Sequence, residues 1–149
     1  MSRIGIVGAG AASAAAAYVL DATVADASLT VLEKSRGVCG RAATRRRDGC
    51  TYDYGANYLK SDDERVVELV TETLDTEGLV DASEPVYVFD ERGTVSEGRE
   101  ADAHKWSYER GLTQLAKRLF DGTDATVEHE TRVERLVRAD DDTAGVWHC

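Results

Sequence analysis

The sequence of 149 residues contains few cysteines, few histidines and no long apolar run, and each shortage excludes a class of protein. Its three cysteines have unrelated spacings, so they provide neither a disulfide framework nor a metal-binding pattern, and a reducing, cytoplasmic environment is expected. The three histidines are scattered, and none forms a ligand pair with a cysteine. No apolar run reaches the length of a membrane span, so a membrane is not an expected partner.

Positive charge is also scarce in this chain. There are 28 acidic and 18 basic residues, the net charge is −10, and the lysines are confined to positions 34, 60, 105 and 117. This charge would repel a polyanion, so nucleic acid is not a predicted partner. An acidic, lysine-poor surface is typical of proteins that work in concentrated salt, where screening removes the self-repulsion. Salt adaptation, as in a halophile, is therefore expected.

The most informative segment is at the start of the chain, where an apolar strand over residues 3–7 leads into a glycine turn and an alanine-rich helix. Gly8 allows a tight turn, and Gly10 lets the backbone approach a pyrophosphate closely because it has no Cβ. Phosphate oxygens are then expected to bind the first amides of the helix, which belong to Ala11, Ala12 and Ser13. A second apolar strand ends on Glu33, about 20 positions past Ser13, where an acid hydrogen-bonds a ribose 2′-hydroxyl.

These features predict a βαβ dinucleotide-binding unit. A flexible loop before a helix is the alternative interpretation of the glycines alone, but the flanking strand, the alanine face and Glu33 favour nucleotide binding. Ser13 replaces the third glycine of the motif, and a small residue is tolerated there because helix and strand only need to pack closely. The carboxylate of Glu33 would repel a 2′-phosphate, so FAD or NAD is favoured over NADP.

A second pair of signatures follows Glu33. Residues 34–45 read KSRGVCGRAATR, and residues 52–58 read YDYGANY. Glycines in the first segment make a loop whose amides can face phosphate oxygens, and Arg36 and Arg41 can neutralise pyrophosphate charge. The cofactor-binding residues predicted in this loop are Lys34, Gly40 and Arg41. For the arginines at 45–47, a solvated basic patch is the preferred interpretation.

Together the two segments resemble the flavin amine oxidase superfamily, whose second signature is an R-x-G-G-R loop after the ribose-binding acid. They are most similar to its renalase-like branch, and the resemblance extends from Arg3 to about Val137. It implies FAD as the cofactor, with the backbone of Val133 at the adenine. It also implies that four residues lie beside the flavin, namely Gly55, Ala56, Asn57 and Tyr58. Tyr52 and Tyr54 are expected instead to pack within a strand.

Cys39 departs from the resembled pattern, since it stands at the first position of the family's glycine doublet. A side chain at this phosphate-facing turn would strain the loop or narrow the site, unless the local φ angle is negative. A redox or flavin-tethering role for Cys39 is not favoured.

Residues 61–96 are predicted to form a helix followed by a hairpin. A capping box over Ser61–Glu64 begins the helix, its apolar residues extend to Leu74, and Gly78 ends it. Alternating residues over 85–96 predict a β-hairpin. Three aromatic residues of this region and the next could line a pocket, but core packing is the preferred interpretation for Tyr87, Phe89 and Trp106.

The rest of the chain is predicted to return to the nucleotide-binding domain. Apolar residues at helical spacing over 112–120 predict a second amphipathic helix. Strands are expected over 125–129 and 132–137. Residues 144–149 begin a further strand that pairs with the second of these and then stops. Because members of the resembled family are considerably longer, the chain is expected to be the amino-terminal part of a flavoprotein, truncated at its carboxyl end.

The predicted fold class is α/β, with a Rossmann-like FAD/NAD(P)-binding domain, a parallel sheet, flanking helices and the start of an antiparallel substrate region. A chain of 149 residues with 42% hydrophobic content is expected to bury one core and to form one structural domain. Its parts are a βαβ core with the flavin-loop segments at 1–78, the start of a substrate-region insertion at 79–110, and a returning helix and strands at 111–149.

The predicted function is that of an FAD-dependent oxidoreductase. A small-molecule substrate, an amine or a dihydronicotinamide, would pass a hydride to flavin N5, and oxygen would reoxidise the flavin. The sequence identifies no catalytic acid, base or nucleophile. Two alternatives stay open. One is an NAD-dependent dehydrogenase or reductase, which the loop over 36–45 argues against. The other is a non-catalytic module that needs a partner, and an unpaired strand edge at 144–149 would then favour self-association.

Overall fold

The computed structural model describes residues 2–83, 87–98, 104–138 and 147–148. Its α-helices are α1 (Ala11–Thr23), α2 (Glu64–Glu68) and α3 (Thr113–Asp121). Its strands are β1 (Ser2–Val7), β2 (Ala27–Leu32), β3 (Thr44–Arg47), β4 (Cys50–Asp53), β5 (Leu79–Asp81), β6 (Tyr87–Phe89), β7 (Val95–Glu97), β8 (Trp106–Tyr108), β9 (Thr126–Glu128), β10 (Val137–Arg138) and β11 (Trp147–His148). Across the described ranges, no helix has the length and apolar character that crossing a membrane requires.

β1, β2 and β9 form a parallel sheet with β2 in the middle. Ile4 of β1 is in register with Leu29 of β2, and Val31 of β2 is in register with Val127 of β9. Because α1 carries the chain back between β1 and β2, the two strands run in the same direction. The strand, glycine turn, helix and second strand predicted from the sequence are therefore present, and the predicted α/β fold with a parallel sheet is confirmed.

One face of this sheet packs against α1 and α3. The core contains small residues of α1, a valine of β2 and larger residues of α3, namely Ala14, Ala17, Val31, Ala116, Leu119 and Phe120. Alanine side chains on α1 allow α3 to approach closely, and the leucine and phenylalanine of α3 fill the remaining space. This layer fixes the amino-terminal end of α1, where the glycine turn lies.

The predicted helix after residue 61 is present, but its ends differ from the prediction. Asp63, and not Ser61, is the N-cap, because extended backbone at Asp63 lets its carboxylate accept the Arg65 amide hydrogen at 3.0 Å. The helix widens into a π-helical turn over Leu69–Thr73, closed by the hydrogen bond from the Leu74 amide to the Leu69 carbonyl at 2.9 Å. Backbone at Leu74 is extended, so the helix ends there and not at Gly78.

The predicted hairpin is confirmed over its described part, where β6 and β7 pair in antiparallel register. The carboxylate of Asp90 accepts the amides of Arg92 and Thr94, both at 2.8 Å, and Gly93 adopts a φ of +79°. These are the contacts that a tight turn needs. The predicted start at Pro85 lies outside the described residues.

Core packing is confirmed for Trp106 and wrong for the two hairpin aromatics. Trp106 is buried, because its strand pairs with β5 and with Leu59. Phe89 is 81% exposed and Tyr87 is 60% exposed. Among the described residues β6 pairs only with β7, so both aromatic rings lie on a two-stranded ribbon.

The returning helix is confirmed as α3, and the first returning strand as β9. The strand predicted over 132–137 is wrong for its first five residues. The chain turns at Glu130, whose φ is +56°, and the amide of Thr131 donates to the carbonyl of Glu33 at 2.9 Å. This hydrogen bond holds residues 131–136 along the carboxyl end of β2, where they do not pair with another strand. Only the last position of the prediction is in a strand, β10, which pairs with β11; residues 139–146 lie outside the described ranges.

Candidate functional site

A cleft of about 810 Å³ opens at the carboxyl end of β1. Its floor is the glycine turn and the start of α1, contributed by Gly10, Ala11 and Ala12. One wall is the loop after β2, over Cys39–Ala42, and the other is the segment after β4, over Tyr54–Ala56. The structure therefore brings together seven of the predicted site residues, which are Gly10, Ala11, Ala12, Gly40, Arg41, Gly55 and Ala56.

The floor of the cleft presents backbone amides that have no partner within α1. Gly8 has a φ of +89°, which a glycine adopts without strain, and its amide donates to the Leu32 carbonyl at 2.8 Å. Gly10 is the N-cap of α1, and no described side chain caps the helix. The first helical hydrogen bond runs from Ala14 to Gly10, so the amides over 11–13 have no partner within the helix. A Cβ built on Gly10 would meet no atom within 4 Å. This geometry fits a pyrophosphate group.

Glu33 is the buried acid of the site. Its side chain lies at the end of β2, where Oε2 accepts the amide hydrogen of Ala9 and Oε1 accepts that of Ser35, each at 2.7 Å. These two bonds orient the carboxylate between the glycine turn and the loop after β2. A carboxylate offers about four acceptor positions, so both oxygens can still accept a ribose hydroxyl. Burial alone would raise the pKa of Glu33, but the amide hydrogen bonds outweigh it, and the pKa lies below its ordinary value.

The lowered pKa predicts that the contribution of Glu33 to stability depends on pH. In the unfolded chain this carboxyl titrates near 4.5, and in the folded protein it titrates lower. The stabilisation is therefore complete above pH 4.5 and is lost as the pH falls through the folded-state pKa. The difference in unfolding free energy between wild type and Glu33→Gln should be constant above about pH 5 and should shrink from there to about pH 3, measured in urea. A difference that stays constant over this range would contradict the assignment.

Cys39 adopts a left-handed backbone conformation in the first wall. Its φ is +81°, its side chain is buried, and its amide donates to the Ala9 carbonyl at 2.8 Å. The thiol Sγ donates to the carbonyl of Leu112 at 3.5 Å, and burial raises the pKa of the thiol. A side chain at this position would be harmless only if φ were negative, and the φ of Cys39 is positive.

At position 39 we expect the glycine variant to be more stable than the alanine variant, which is the reverse of the usual order. At an ordinary site Gly→Ala stabilises by roughly 0.4–1 kcal/mol, whereas a left-handed backbone penalises any Cβ by about 1–2 kcal/mol. Cys39→Gly should therefore be more stable than Cys39→Ala by about 1 kcal/mol, although both variants lose the thiol. Urea unfolding midpoints of the two variants measure this. A more stable alanine variant would show that the loop relaxes to a negative φ.

The two walls of the cleft touch at Arg41 and Gly55. A Cβ built on Gly55 would lie 2.0 Å from the carbonyl oxygen of Arg41. The guanidinium-bearing side chain of Arg41 is exposed and lines the cleft, where it can neutralise phosphate charge. Close contact of the backbones thus joins the two walls beside the residue that carries this cation.

The remaining predicted site residues lie outside this cleft. Lys34 is exposed beside Glu33, and Asn57 is exposed beyond the second wall. The ring of Tyr58 lies 5.8 Å from the Lys105 ammonium. Gly8 and Ser13 belong to the turn and to the first turn of α1, but neither lines the cleft.

Val133 lines a separate cavity of about 590 Å³ next to Leu32. Leu32, which lines this second cavity, directly precedes Glu33. The Glu33 carboxylate accepts the amide hydrogen of Ala9, and Ala9 directly precedes Gly10, which lines the main cleft. Glu33 itself lines neither cavity, but it is joined to both by neighbouring residues of the chain.

Three lining residues of the cleft were not among the predicted site residues, namely Cys39, Ala42 and Tyr54. The expectation that Tyr54 packs within a strand is wrong, because β4 ends at Asp53 and Tyr54 turns into the cleft wall. Its hydroxyl accepts a hydrogen bond from Arg45 at 3.3 Å. Tyr52 lies in β4, but its side chain is exposed and not packed, and Arg45, Arg46 and Arg47 are exposed as expected. The sequence signal that could have identified Tyr54 as a lining residue was its position directly before Gly55.

A third cavity, of about 480 Å³, lies between the segment over 60–62 and the strands β5 and β8. His104 stacks on Trp106 there, and its Nδ1 is 3.0 Å from a carboxylate oxygen of Asp81. Hydrogen bonds from Ser83 and His104 lower the pKa of Asp81.

Within the described residues, no group of three or more His, Cys, Asp or Glu side chains is arranged to hold a metal ion.

A family model described as an NAD(P)-binding Rossmann-like domain matches residues 6–73. The match covers less than half of the chain, and it agrees with the strand, glycine turn, helix and second strand of the structure. The matched range contains the floor of the cleft, Glu33 and both walls. No curated protein is significantly similar to the chain in sequence.

Two solved structures share the fold over most of the chain. One is a protein from Exiguobacterium sp. 255-15, provisionally assigned as a protoporphyrinogen oxidase. It is 16% identical, with a TM-score of 0.70 over 93% of this chain and 55% of its own. The other is a CLA-producing fatty acid isomerase from P. acnes, 16% identical, with a TM-score of 0.67 over 93% of this chain and 54% of its own. This chain thus spans about half the length of the structures that it matches.

Proposed function

We propose that the chain binds FAD and forms the amino-terminal part of an FAD-dependent oxidoreductase of the amine oxidase superfamily, close to its renalase-like branch. The observation that carries the proposal is the geometry around Glu33. Its buried carboxylate is hydrogen-bonded to the glycine turn, with one cavity beside Gly10 and another beside Leu32. This arrangement suits a ribose held between a pyrophosphate and a base.

Two features favour FAD over the nicotinamide dinucleotides. The carboxylate of Glu33 would repel the 2′-phosphate of NADP. The loop over 39–42 and the segment over 54–56 also bound the cleft on two sides, and Arg41 lies in the first of these walls. A glycine turn alone would serve a simple NAD site, so the two additional walls favour the larger flavin cofactor.

Each part of the site has a role in this proposal. The amides of residues 11–13 and the Arg41 guanidinium bind the pyrophosphate, Glu33 binds the ribose, and the Val133 backbone contacts the adenine. Residues 55–58 lie beside the flavin ring, where Gly55 and Ala56 allow close approach. Bound FAD supplies an N5 that accepts hydride from an amine or a dihydronicotinamide, with oxygen as the final acceptor.

The first test is an absorption spectrum of the protein purified in high salt, with any released cofactor identified by mass. Calorimetric titration with FAD follows, with ADP, NAD and NADP as competitors. We expect a flavin spectrum or uptake of added FAD, competition by ADP, and none by NADP. A colourless protein that takes up no FAD would contradict the proposal for this chain.

The two alternatives have separate signatures. An NAD-dependent dehydrogenase would bind NAD more tightly than FAD in the same calorimeter. A non-catalytic module would need a partner, and self-association through a strand edge near β11 is the proposed route. Light scattering at high protein concentration tests it, since a clean monomer would count against self-association.

Salt adaptation and a cytoplasmic location are proposed from composition. The net charge of −10 repels itself in dilute buffer, and salt at molar concentration screens it within about 3 Å. We expect the thermal midpoint to rise between low and multimolar KCl, and an unchanged midpoint would refute the adaptation.

The free thiol of Cys50 is exposed, which suits a reducing compartment.

A further inference from the structure

Both walls of the cleft are bound to the backbone of a single residue, Leu112, which is the N-cap of α3. The amide of Leu112 donates to both carboxylate oxygens of Asp53, at 3.1 and 3.2 Å. The carbonyl oxygen of the same residue accepts the thiol hydrogen of Cys39 at 3.5 Å. Cys39 lies in the first wall, and Asp53 directly precedes the second. The side chain of Leu112 is almost completely buried, so its backbone is held in place.

The second wall has a closed set of hydrogen bonds behind it. Asp53 Oδ1 also accepts the hydroxyl hydrogen of Thr44 at 2.6 Å. Thr44 and Thr113 exchange two bonds, since the amide of each donates to the hydroxyl oxygen of the other, at 2.7 and 3.1 Å. The hairpin of β3 and β4 is therefore attached to the first turn of α3, and the negative charge of Asp53 lies where the helix dipole favours it.

The fit at this attachment is tight. Gly111 has a φ of +84°, and a Cβ on it would lie 2.2 Å from the Thr44 hydroxyl oxygen. In the wall itself, Tyr54, Gly55 and Ala56 are all exposed, so few buried contacts hold them. The described contacts of this wall are the Asp53 carboxylate at its start, the exposed hydrogen bond from Arg45 to the Tyr54 hydroxyl, and the Arg41 backbone beside Gly55.

We propose that the Leu112 backbone sets the spacing between the two cleft walls, and that Asp53 is the positioning residue that holds the 54–56 wall in place. Asp53 does not line the cleft. It acts on a bound nucleotide through the wall, by keeping Tyr54, Gly55 and Ala56 close to the floor. The effect on FAD rests on the proposed function, whereas the attachment of the wall does not.

The experiment measures amide hydrogen exchange in the protein without added nucleotide. Asp53→Ala removes both carboxylate acceptors of the Leu112 amide, and Asp53→Asn keeps one carbonyl oxygen. Leu119→Ala destabilises α3 through the core without removing a hydrogen bond of the attachment. We expect exchange over residues 54–58 and at Leu112 to accelerate about tenfold or more in Asp53→Ala and less in Asp53→Asn. Exchange in β1 and β2 should stay at its wild-type rate in both, and in Leu119→Ala the 54–58 segment should not accelerate relative to the sheet.

FAD affinity gives the second readout. The dissociation constant should rise about tenfold or more in Asp53→Ala, recover in part in Asp53→Asn, and stay unchanged in Leu119→Ala. If Asp53→Ala does not fold, Thr44→Val replaces it, because valine has the same shape and lacks the hydroxyl. Wild-type exchange over 54–58 in the Asp53 variants would overturn the proposal. If the wild type binds no FAD, the proposed function fails, while the exchange comparison still decides whether Asp53 holds the wall.

Discussion

Replacing Glu33 with alanine is expected to abolish most nucleotide binding and to destabilise the protein by about 2–3 kcal/mol. The side chain accepts the amide hydrogens of Ala9 and Ser35, and both bonds are charge-assisted. In the alanine variant the buried amide of Ala9 loses its partner, which costs its full desolvation penalty. The acceptor proposed for the ribose hydroxyl is lost as well, so the FAD dissociation constant should rise about 100-fold.

Calorimetry with FAD and urea unfolding at neutral pH measure the two effects. Glu128→Gln is the matched control, because Glu128 ends the neighbouring strand β9 and its side chain is exposed. It should change neither quantity appreciably. Glu33→Gln keeps the volume and one acceptor oxygen, so it should fall between wild type and the alanine variant even if the latter unfolds. FAD binding by Glu33→Ala at wild-type strength would remove the basis of the proposed function.

Gly55→Ala is expected to lower stability by about 3 kcal/mol and the melting temperature by about 10 °C. The new Cβ would lie 2.0 Å from the carbonyl oxygen of Arg41 and 3.2 Å from its carbonyl carbon. The obstacle is backbone, so the wall over 54–56 or the loop over 39–42 must move. Either displacement widens the cleft, and FAD affinity should fall at least about tenfold in parallel.

Gly37→Ala is the control for this substitution. It lies in the same loop system, yet its Cβ would meet no atom within 4 Å. We expect it to be neutral or to stabilise by about 0.5 kcal/mol through the unfolded chain. Thermal unfolding of the two variants side by side separates steric clash from the general effect of Gly→Ala. Equal melting temperatures would show that the walls are not in contact in solution.

The local features of this chain could be predicted from its sequence. An apolar strand, Gly8, Gly10 and an alanine-rich helix each have a backbone preference that neighbouring residues impose, and Glu33 lies at a fixed distance along the chain from them. The structure confirms that arrangement and adds the amide of Ala9 as a partner of the acid. The hairpin turn and α3 were predictable for the same reason, since turn residues and helical spacing act over a few positions.

Predictions failed where two local preferences competed. Ser61 and Asp63 can both cap a helix, and the backbone at Asp63 selects the second. The residues before β10 have strand-forming composition, but the bond from Thr131 to Glu33 holds them along the end of β2. Tyr54 suits a strand and yet lies one residue beyond its end. In each case the deciding contact is a specific hydrogen bond or a strand boundary, which composition does not encode.

By itself, the sequence determined that the chain has a βαβ nucleotide-binding unit with a carboxylate at the end of its second strand. Only the tertiary structure decided how the cleft is enclosed. Asp53 and Leu112 are 59 positions apart, and Cys39 and Leu112 are 73 apart, yet the backbone of Leu112 binds both walls. Contacts over such separations depend on how α3 packs against α1 and the sheet. That packing arises from the whole hydrophobic core, because burial is non-directional and only close packing fixes which residues meet.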